Sequence, residues 1–129
     1  SVIVASEADD GAVGFASFGP ARLGHRPAAG CFAGEREKVG EIHTLYVLPD
    51  FQERGIGRQL LAAVFAALVE RRYGCGFVWA LRDNHARYFY ERVGGKLIAE
   101  RQERMWGITT DQVCYGWPDL TQMSATHSR

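Results

Sequence analysis

The stretch YVLPDFQERGIGRQLL, residues 46–61, holds the residues whose types and spacing best suit chemistry. An apolar run ends at Pro49, two glycines flank Ile56, and leucines at helical spacing follow. The free N–H groups at the start of a helix carry a partial positive charge, and glycines let a phosphate approach them closely. The stretch therefore suits phosphate binding, although a plain tight turn would use the same residues.

Two common phosphate-binding motifs are incomplete in this loop. There is no GK[ST] ending, which argues against the Mg–nucleotide chemistry of a P-loop. Position 60 is Leu60 rather than glycine, so the GxGxxG pattern of dinucleotide-binding proteins is broken. A dinucleotide fold would also need a longer parallel sheet.

The elements around the loop predict one mixed α/β domain. Leu60, Val64 and Leu68 recur every four residues in a helix that we expect Gly74 to cap. The predicted helices are residues 57–73 and 86–93, and the predicted strands are 2–5, 13–18, 40–48, 77–81, 96–106 and 109–117. Residues 20–38 are expected to form a long loop. Antiparallel stretches would then flank a central β-α-β unit.

With these elements, the sequence resembles the GNAT superfamily of N-acetyltransferases. The family motif is a strand ending in V-x-P, then Q/R-x-x-G-x-G/A, then an amphipathic helix. The corresponding segments here are VLP (47–49), QERGIG (52–57), FYERVGG (89–95) and VCYGW (113–117). The resemblance covers roughly residues 2–117 and implies a mixed, mostly antiparallel central sheet with a splayed β-α-β cofactor site.

The resemblance also implies an acetyl-CoA site. In the family the pyrophosphate lies on the loop amides, which correspond here to Glu53, Arg54, Gly55, Ile56, Gly57 and Arg58. Gln52, which begins the motif, is also expected to belong to the cofactor site. The pantetheine arm pairs with the backbone of the central strand, here Leu45, Tyr46 and Val47, as an added strand would. A family asparagine that touches this arm corresponds to Asn84, displaced by one residue because Asp83 holds its usual slot. The alternative role for Asn84 is to cap the next helix.

Acetylation of an amine needs a base, because a free alkyl ammonium has a pKa of roughly 10. The departing thiolate benefits from an acid, which the resemblance assigns to Tyr90; its alternative role is core packing. We expect Glu41 to be the base, acting through water, since a carboxylate within an apolar strand is costly unless it meets solvent or a partner. Its alternative is an exposed residue at the start of the strand.

His43 competes with Glu41 for the role of base, because its reference pKa is near neutrality. The two side chains share one face if the strand is regular. A bulge between them would change which of the two faces the pocket.

We expect a single domain over residues 1–117 and a flexible tail over 118–129. The chain begins after the strand and two helices with which family members usually start and which wall the acceptor pocket. The pocket would then be open, absent from this chain, or completed by a partner such as a second copy.

The composition argues against several other classes of protein. The formal net charge is zero, so nothing indicates a nucleic-acid partner. Three cysteines without a CxxC pair indicate neither a disulfide framework nor a zinc site. The sequence has no apolar run of about 18 residues and no signal peptide. We expect a cytoplasmic protein without a metal or a membrane partner.

The sequence thus predicts an acetyl-CoA-dependent N-acetyltransferase that moves the acetyl group directly to a small-molecule or peptide amine. An acyl-cysteine route is disfavoured, because no cysteine has an evident activating base beside it. The competing hypothesis is a non-catalytic acyl-CoA-binding or interaction module of the same fold. The two differ in whether Tyr90 and Glu41 or His43 face the thioester.

Overall fold

The computed structural model describes residues 1–33 and 38–122. The strands are β1 (Val2–Glu7), β2 (Gly11–Pro20), β3 (Val39–Val47), β4 (Cys75–Leu81), β5 (Lys96–Met105) and β6 (Ile108–Trp117). The helices are α1 (Gly30–Ala33), α2 (Ile56–Glu70) and α3 (Ala86–Arg92). The predicted elements are confirmed, and α1 is a short addition within the predicted loop 20–38.

The six strands form one sheet in the order β1-β2-β3-β4-β6-β5. All neighbours are antiparallel except β3 and β4, so the predicted mixed, mostly antiparallel sheet is confirmed. The β5–β6 hairpin turns at Trp106 and Gly107, whose φ values of 56° and 78° suit a tight two-residue turn.

Two apolar clusters lie on opposite faces of the sheet. The larger one packs the buried stripe of α2, which includes Leu60, Val64 and Leu68, against the sheet. The smaller one includes Phe32 of α1 and Phe77 of β4 and lies on the other face. The helices α2 and α3 therefore sit on one side of the sheet, and the loop that carries α1 covers part of the other.

The strands β3 and β4 separate halfway along their length. Their parallel pairing runs from Val39 with Cys75 to Ile42 with Val78 and then stops, although both strands continue. The predicted splay of the β-α-β unit is thus present.

β3 also contains a bulge. Ser17 of β2 pairs with Thr44 and Phe18 pairs with Ile42, so His43 is the extra residue. The strand therefore does not alternate regularly at this point, although the side chains of Glu41 and His43 remain close, with 4.0 Å between Oε1 and Nε2.

Two predicted boundaries differ from the structure, the end of α2 and the start of the C-terminal tail. Arg72, with φ 68°, takes the left-handed position after α2 that we assigned to Gly74. The N–H of Gly74 instead donates to the carbonyl of Lys38, at the start of the sheet. Residues 118–122 do not hang free, because Leu120 is fully buried and its N–H donates to the Gly74 carbonyl. Ordered packing extends beyond the predicted boundary at residue 117, and residues 123–129 of the predicted tail lie outside the described ranges.

Residues 1–33 and 38–122 contain no helix that is long and apolar enough to cross a membrane. The same part of the chain contains no group of three or more His, Cys, Asp or Glu side chains placed to hold a metal ion.

Candidate active site

The splay between β3 and β4 opens into a cavity of about 290 Å³. Both strands, α3 and β6 contribute to its wall. The lining residues are His43, Thr44, Leu45, Val78, Trp79, Ala80, Leu81, Asn84, Ala86, Tyr90 and Gln112. Four predicted site residues, His43, Leu45, Asn84 and Tyr90, therefore line one cavity.

Beyond residue 42, β3 no longer pairs with β4. The backbone groups on that edge of β3 therefore have no strand partner. The N–H of Leu48 donates to Val13 of β2, and backbone groups alternate in direction along a strand. Those of Leu45 and Val47 therefore point away from β2, towards the splay. An extended, amide-bearing ligand could pair with this edge as an added strand does.

Gln52 connects the end of this edge to the glycine loop. Its Nε2 donates to the carbonyl of Val47 at 3.0 Å. One of the edge acceptors thus already has a partner, and the side chain of Gln52, a predicted cofactor contact, bonds the end of the strand. The adjacent side chain of Tyr46 is 45% exposed on the face opposite α2.

The loop before α2 presents backbone amides without a side-chain cap. The N-cap is Gly55, with φ 82°, and no side chain accepts a hydrogen bond from the first turn. The first N–H groups of a helix have no partner within it, so these amides are available to an anion. A Cβ at Gly55 would meet no atom within 4 Å, so open space lies beside the loop.

The remaining residues of the loop have varied surroundings. Glu53 is also left-handed, with φ 64°, and the Arg54 guanidinium lies 4.9 Å from the centroid of the Phe51 ring. Arg58 is exposed and Ile56 is buried. A Cβ at Gly57 would lie 3.4 Å from the Phe89 ring of α3, which is an ordinary contact distance. The start of α2 therefore lies close to α3, the helix that carries Tyr90.

Tyr90 combines core packing with a place in the cavity wall. It is 5% exposed and packs against the rings of Phe89, Tyr115 and Trp117. Burial raises the pKa of its hydroxyl to about 12. The group is therefore protonated at neutral pH, which is the form that an acid requires.

Glu41 lies outside the cavity lining, and its side chain exposes no surface. Its Oε1 accepts the backbone N–H of Arg22 at 2.9 Å and Nε at 3.2 Å, and its Oε2 accepts Nη2 of Arg22 at 2.7 Å. His25 Nδ1 lies 2.8 Å from the same Oε2. The predicted alternative of an exposed strand-start residue is wrong, and a base that acts through water would need solvent access that this side chain lacks.

The electrostatics of Glu41 follow from these contacts. Burial alone would raise the pKa of the carboxyl, but the hydrogen bonds and charge of Arg22, with the hydrogen bond of His25, lower it below its ordinary value. Glu41 is therefore held as an anion. A carboxylate stabilised in this way is a weak proton acceptor.

His43, at the bulge, is the predicted base that faces the cavity. Its side chain is 25% exposed and lies 4.0 Å, Nε2 to Oε1, from Glu41. Nε2 is buried and has no hydrogen-bond partner among the described residues. His43 therefore lines the cavity, and Glu41 lies next to it but outside the lining.

Asn84 takes the capping role that was its alternative. Its Oδ1 accepts the N–H of Ala86 in the first turn of α3 at 2.9 Å. Since Asn84 also lines the cavity, its Nδ2 is the donor that this side chain can offer to a bound ligand.

Four neighbours of the site were not among the predicted site residues. Arg22 and His25 come from the long loop and carry no periodic signal. Trp79 lines the cavity and donates its Nε1–H to the His25 carbonyl at 2.7 Å. Gln112 also lines it, with Oε1 accepting Nε of Arg101 at 2.8 Å. Of these four residues, only Trp79 could have been expected near the cavity from the sequence, because it lies in a predicted buried strand beside the splay.

Comparison with known proteins gives consistent matches along the chain. A family model described as "Acetyltransferase (GNAT) family" matches residues 1–95. An uncharacterized N-acetyltransferase of Bacillus subtilis (strain 168), YuaI, is 32% identical over 129 residues, which cover 99% of this chain and 68% of the relative. An uncharacterized N-acetyltransferase of Archaeoglobus fulgidus is 46% identical over 57 residues, or 43% of this chain and 39% of the relative.

Solved structures share the fold. Ribosomal-protein-alanine N-acetyltransferase from Brucella melitensis superposes with a TM-score of 0.68 at 24% identity, covering 91% of this chain and 67% of that one. A GNAT family acetyltransferase from Elizabethkingia anophelis with acetyl-CoA bound gives 0.64 at 19% identity, covering 87% and 72%. At these identities the likeness concerns the fold alone.

Proposed function

The chain belongs to the GNAT family of acetyltransferases, and from this membership we propose that it transfers the acetyl group of acetyl-CoA directly to a primary amine. The observation that carries the proposal is the splay of β3 from β4. It combines a free strand edge, a cavity with Tyr90 and His43 in its wall, and an uncapped helix N-terminus. These are the three surfaces that an acyl-CoA needs for its arm, its thioester and its pyrophosphate.

The cofactor contacts follow from the free backbone groups. The arm amides would pair with the backbone groups of Leu45 and Val47, where the Val47 carbonyl already accepts one hydrogen bond from Gln52 and has a second lone pair. The pyrophosphate would take the amides at the start of α2, where Gly55 leaves open space and Arg54 and Arg58 add positive charge. The Elizabethkingia neighbour, solved with acetyl-CoA, supports the choice of cofactor.

The chemistry needs one group that takes a proton and one that gives a proton. His43 is the side chain at the cavity whose ring nitrogen can accept a proton from the acceptor amine. Tyr90, kept protonated by burial, would donate to the departing thiolate. We assign no base role to Glu41, because its side chain has no exposed surface and its four hydrogen bonds stabilise the anion.

The acceptor is a small-molecule or peptide amine. Neighbours of this fold include enzymes named for each kind, a ribosomal-protein-alanine N-acetyltransferase and nourseothricin acetyltransferase. The acceptor would approach the splay from the face of His43 and Trp79, because α2 and α3 cover the other face.

Calorimetric titration with acetyl-CoA tests the cofactor site. Wild type should bind, and Gly55→Glu should abolish binding, because it places a carboxylate beside the amides proposed for the pyrophosphate. Gly107→Glu is the matched control, since Gly107 also has a positive φ, 78° against 82°, and open space at its Cβ. It lies in the β5–β6 turn and should bind as wild type does.

Two results would count against the proposal. Failure of folded wild type to bind acetyl-CoA would remove the cofactor site, and equal loss of binding in both glutamate variants would reduce the effect to backbone strain. If acetyl-CoA binds but no amine is acetylated in a screen of small amines and peptides, the non-catalytic acyl-CoA-binding module becomes the better account.

A further inference from the structure

We propose that Glu41 is a positioning residue for His43. It holds the imidazole as the Nε2–H tautomer, so that Nδ1 carries the lone pair that accepts the proton of the acceptor amine. The inference rests on the proposed function, in which His43 is the base. It gives the buried carboxylate a part in the reaction although Glu41 itself never meets the substrate.

The two oxygens of Glu41 have different surroundings. Oε2 is taken by Nη2 of Arg22 and by Nδ1 of His25, at 2.7 Å and 2.8 Å. Oε1 takes the backbone N–H and Nε of Arg22, and it is also the oxygen that lies 4.0 Å from Nε2 of His43. An ionised carboxylate offers about four acceptor sites, so an N–H from His43 would share Oε1 with Nε of Arg22, whose 3.2 Å hydrogen bond is the longest of those that Glu41 makes.

The ring of His43 has one nitrogen that requires a partner. Nε2 is buried and unpartnered among the described residues, and buried polar nitrogens are nearly always hydrogen-bonded. The anionic Oε1 is an acceptor within ion-pair distance, so Nε2 gains most by carrying the proton. A movement of about 1 Å would bring the two atoms to hydrogen-bond distance. The other nitrogen, Nδ1, is then left without a proton.

The loop after β2 keeps the carboxylate in place. Arg22 and His25 bond Glu41 from this loop, and Trp79 of β4 bonds the His25 carbonyl at 2.7 Å. Arg22 alone would be enough to neutralise the charge of the Glu41 carboxylate. The further contacts join the loop, β3 and β4 around the point where the strands separate, which favours a role in ordering the site over one in stability alone.

The reaction balances with this tautomer. Nδ1 of His43 takes one proton from the acceptor ammonium, and Glu41 stabilises the imidazolium formed. The neutral amine then attacks the thioester carbonyl, the C–N bond forms and the C–S bond breaks. Tyr90 gives its proton to the thiolate and regains one, through solvent, from the nitrogen that becomes the amide. His43 returns its proton to solvent.

Few ionisable groups lie near the His43 ring. The ionisable groups around it are Glu41 on β3, Arg22 and His25 of the loop, and Tyr90 across the cavity. The neighbouring positions of β2 and β4, Gly19, Val78 and Trp79, carry no titratable side chain. Removal of the Glu41 charge should therefore act on His43 directly.

Nitrogen-15 NMR of the wild-type histidine rings reads the tautomer without any need for activity. His43→Gln identifies the His43 signals by their loss. We expect the neutral ring to show a protonated Nε2 and an unprotonated Nδ1. A protonated Nδ1 in neutral His43 would overturn the inference, whether or not the enzyme acetylates any amine tried.

Glu41→Gln then tests the consequence for the reaction. We expect kcat/KM to fall on the order of 10- to 100-fold, the range found for carboxylates that orient the histidines of metal sites. The acidic limb of its pH profile should move to lower pH, because a lost negative charge destabilises the protonated imidazole. Glu100→Gln, which breaks the exposed pair with Arg82 at 2.8 Å, is the matched control and should leave both unchanged.

The outcomes separate the inference from the proposed function. If His43→Gln slows acetylation but Glu41→Gln moves neither the acidic limb nor the tautomer, the inference is wrong and the base assignment stands. If His43→Gln leaves the rate unchanged, the base assignment fails. Should Glu41→Gln not fold, the wild-type NMR result decides alone.

Discussion

At the scale of the residue, Tyr90 shows how one side chain serves both packing and chemistry. Its ring lies among Phe89, Tyr115 and Trp117, and its place in the cavity wall was expected from the FYERVGG segment. The sequence motif and the burial of the side chain thus both place Tyr90 at the cavity. The two interpretations offered by the sequence, acid and core aromatic, are compatible rather than exclusive.

Tyr90→Phe should lower kcat by about 10²-fold and leave acetyl-CoA affinity unchanged, because only the proton donor is lost. Since its pKa is about 12, Tyr90 should cause no loss of wild-type rate on the basic side up to about pH 10. Steady-state kinetics across pH measure both effects. Tyr88→Phe, at a half-exposed neighbour on α3, is the control. An unchanged kcat in Tyr90→Phe would exclude the acid role.

Glu41 shows the opposite case. The desolvation cost of a carboxylate in an apolar strand correctly marked Glu41 as unusual. That cost is offset by hydrogen bonds with Arg22 and His25 rather than by solvent. Those partners lie 19 and 16 residues earlier in the chain, in a loop without periodicity. No local pattern connects such residues, so sequence reasoning could not distinguish a base from a buried anion.

At the scale of the element, the position of α3 depends on Gly95. A Cβ there would lie 2.8 Å from the carbonyl oxygen of Tyr90 and 2.9 Å from Cζ2 of Trp117. The glycine therefore lets the end of α3 lie directly on β6, and this contact sets where Tyr90 enters the cavity.

Gly95→Ala should destabilise the protein by about 1–3 kcal/mol, because the added methyl group meets backbone and a packed ring. The acetylation rate should fall as well, since α3 must shift. Urea unfolding measures the first effect. Gly76→Ala is the control, because its Cβ would meet Leu120 at an ordinary 3.5 Å. Equal stability of the two variants would show that α3 does not depend on this close contact.

At the scale of the whole molecule, the segment after β6 closes the core. Leu120 is fully buried within the larger apolar cluster, and its backbone bonds Gly74 between α2 and β4. One apolar residue in a polar segment gives no periodic signal, so the sequence indicated a tail here. The docking surface for Leu120 exists only once β4 and α2 have packed.

Leu120→Ala should cost about 2–5 kcal/mol of unfolding free energy, as expected for a large-to-small change in a core. Leu23→Ala is the matched control, because Leu23 is fully exposed and should change stability by less than about 0.5 kcal/mol. Denaturant unfolding of both variants makes the comparison. If the two variants unfold alike, residues beyond 117 contribute nothing to the core.

The sequence by itself determined the order and type of the elements, the glycine loop before α2, and membership of the GNAT fold. These depend on periodicity and on short motifs, which act within a few residues. Only the tertiary structure decided that His43 lines the cavity, that Glu41 lies next to it but outside the lining, and that Leu120 joins the core. Each depends on contacts between residues far apart in the chain, whose geometry exists only when the strands have paired and the helices have packed on them.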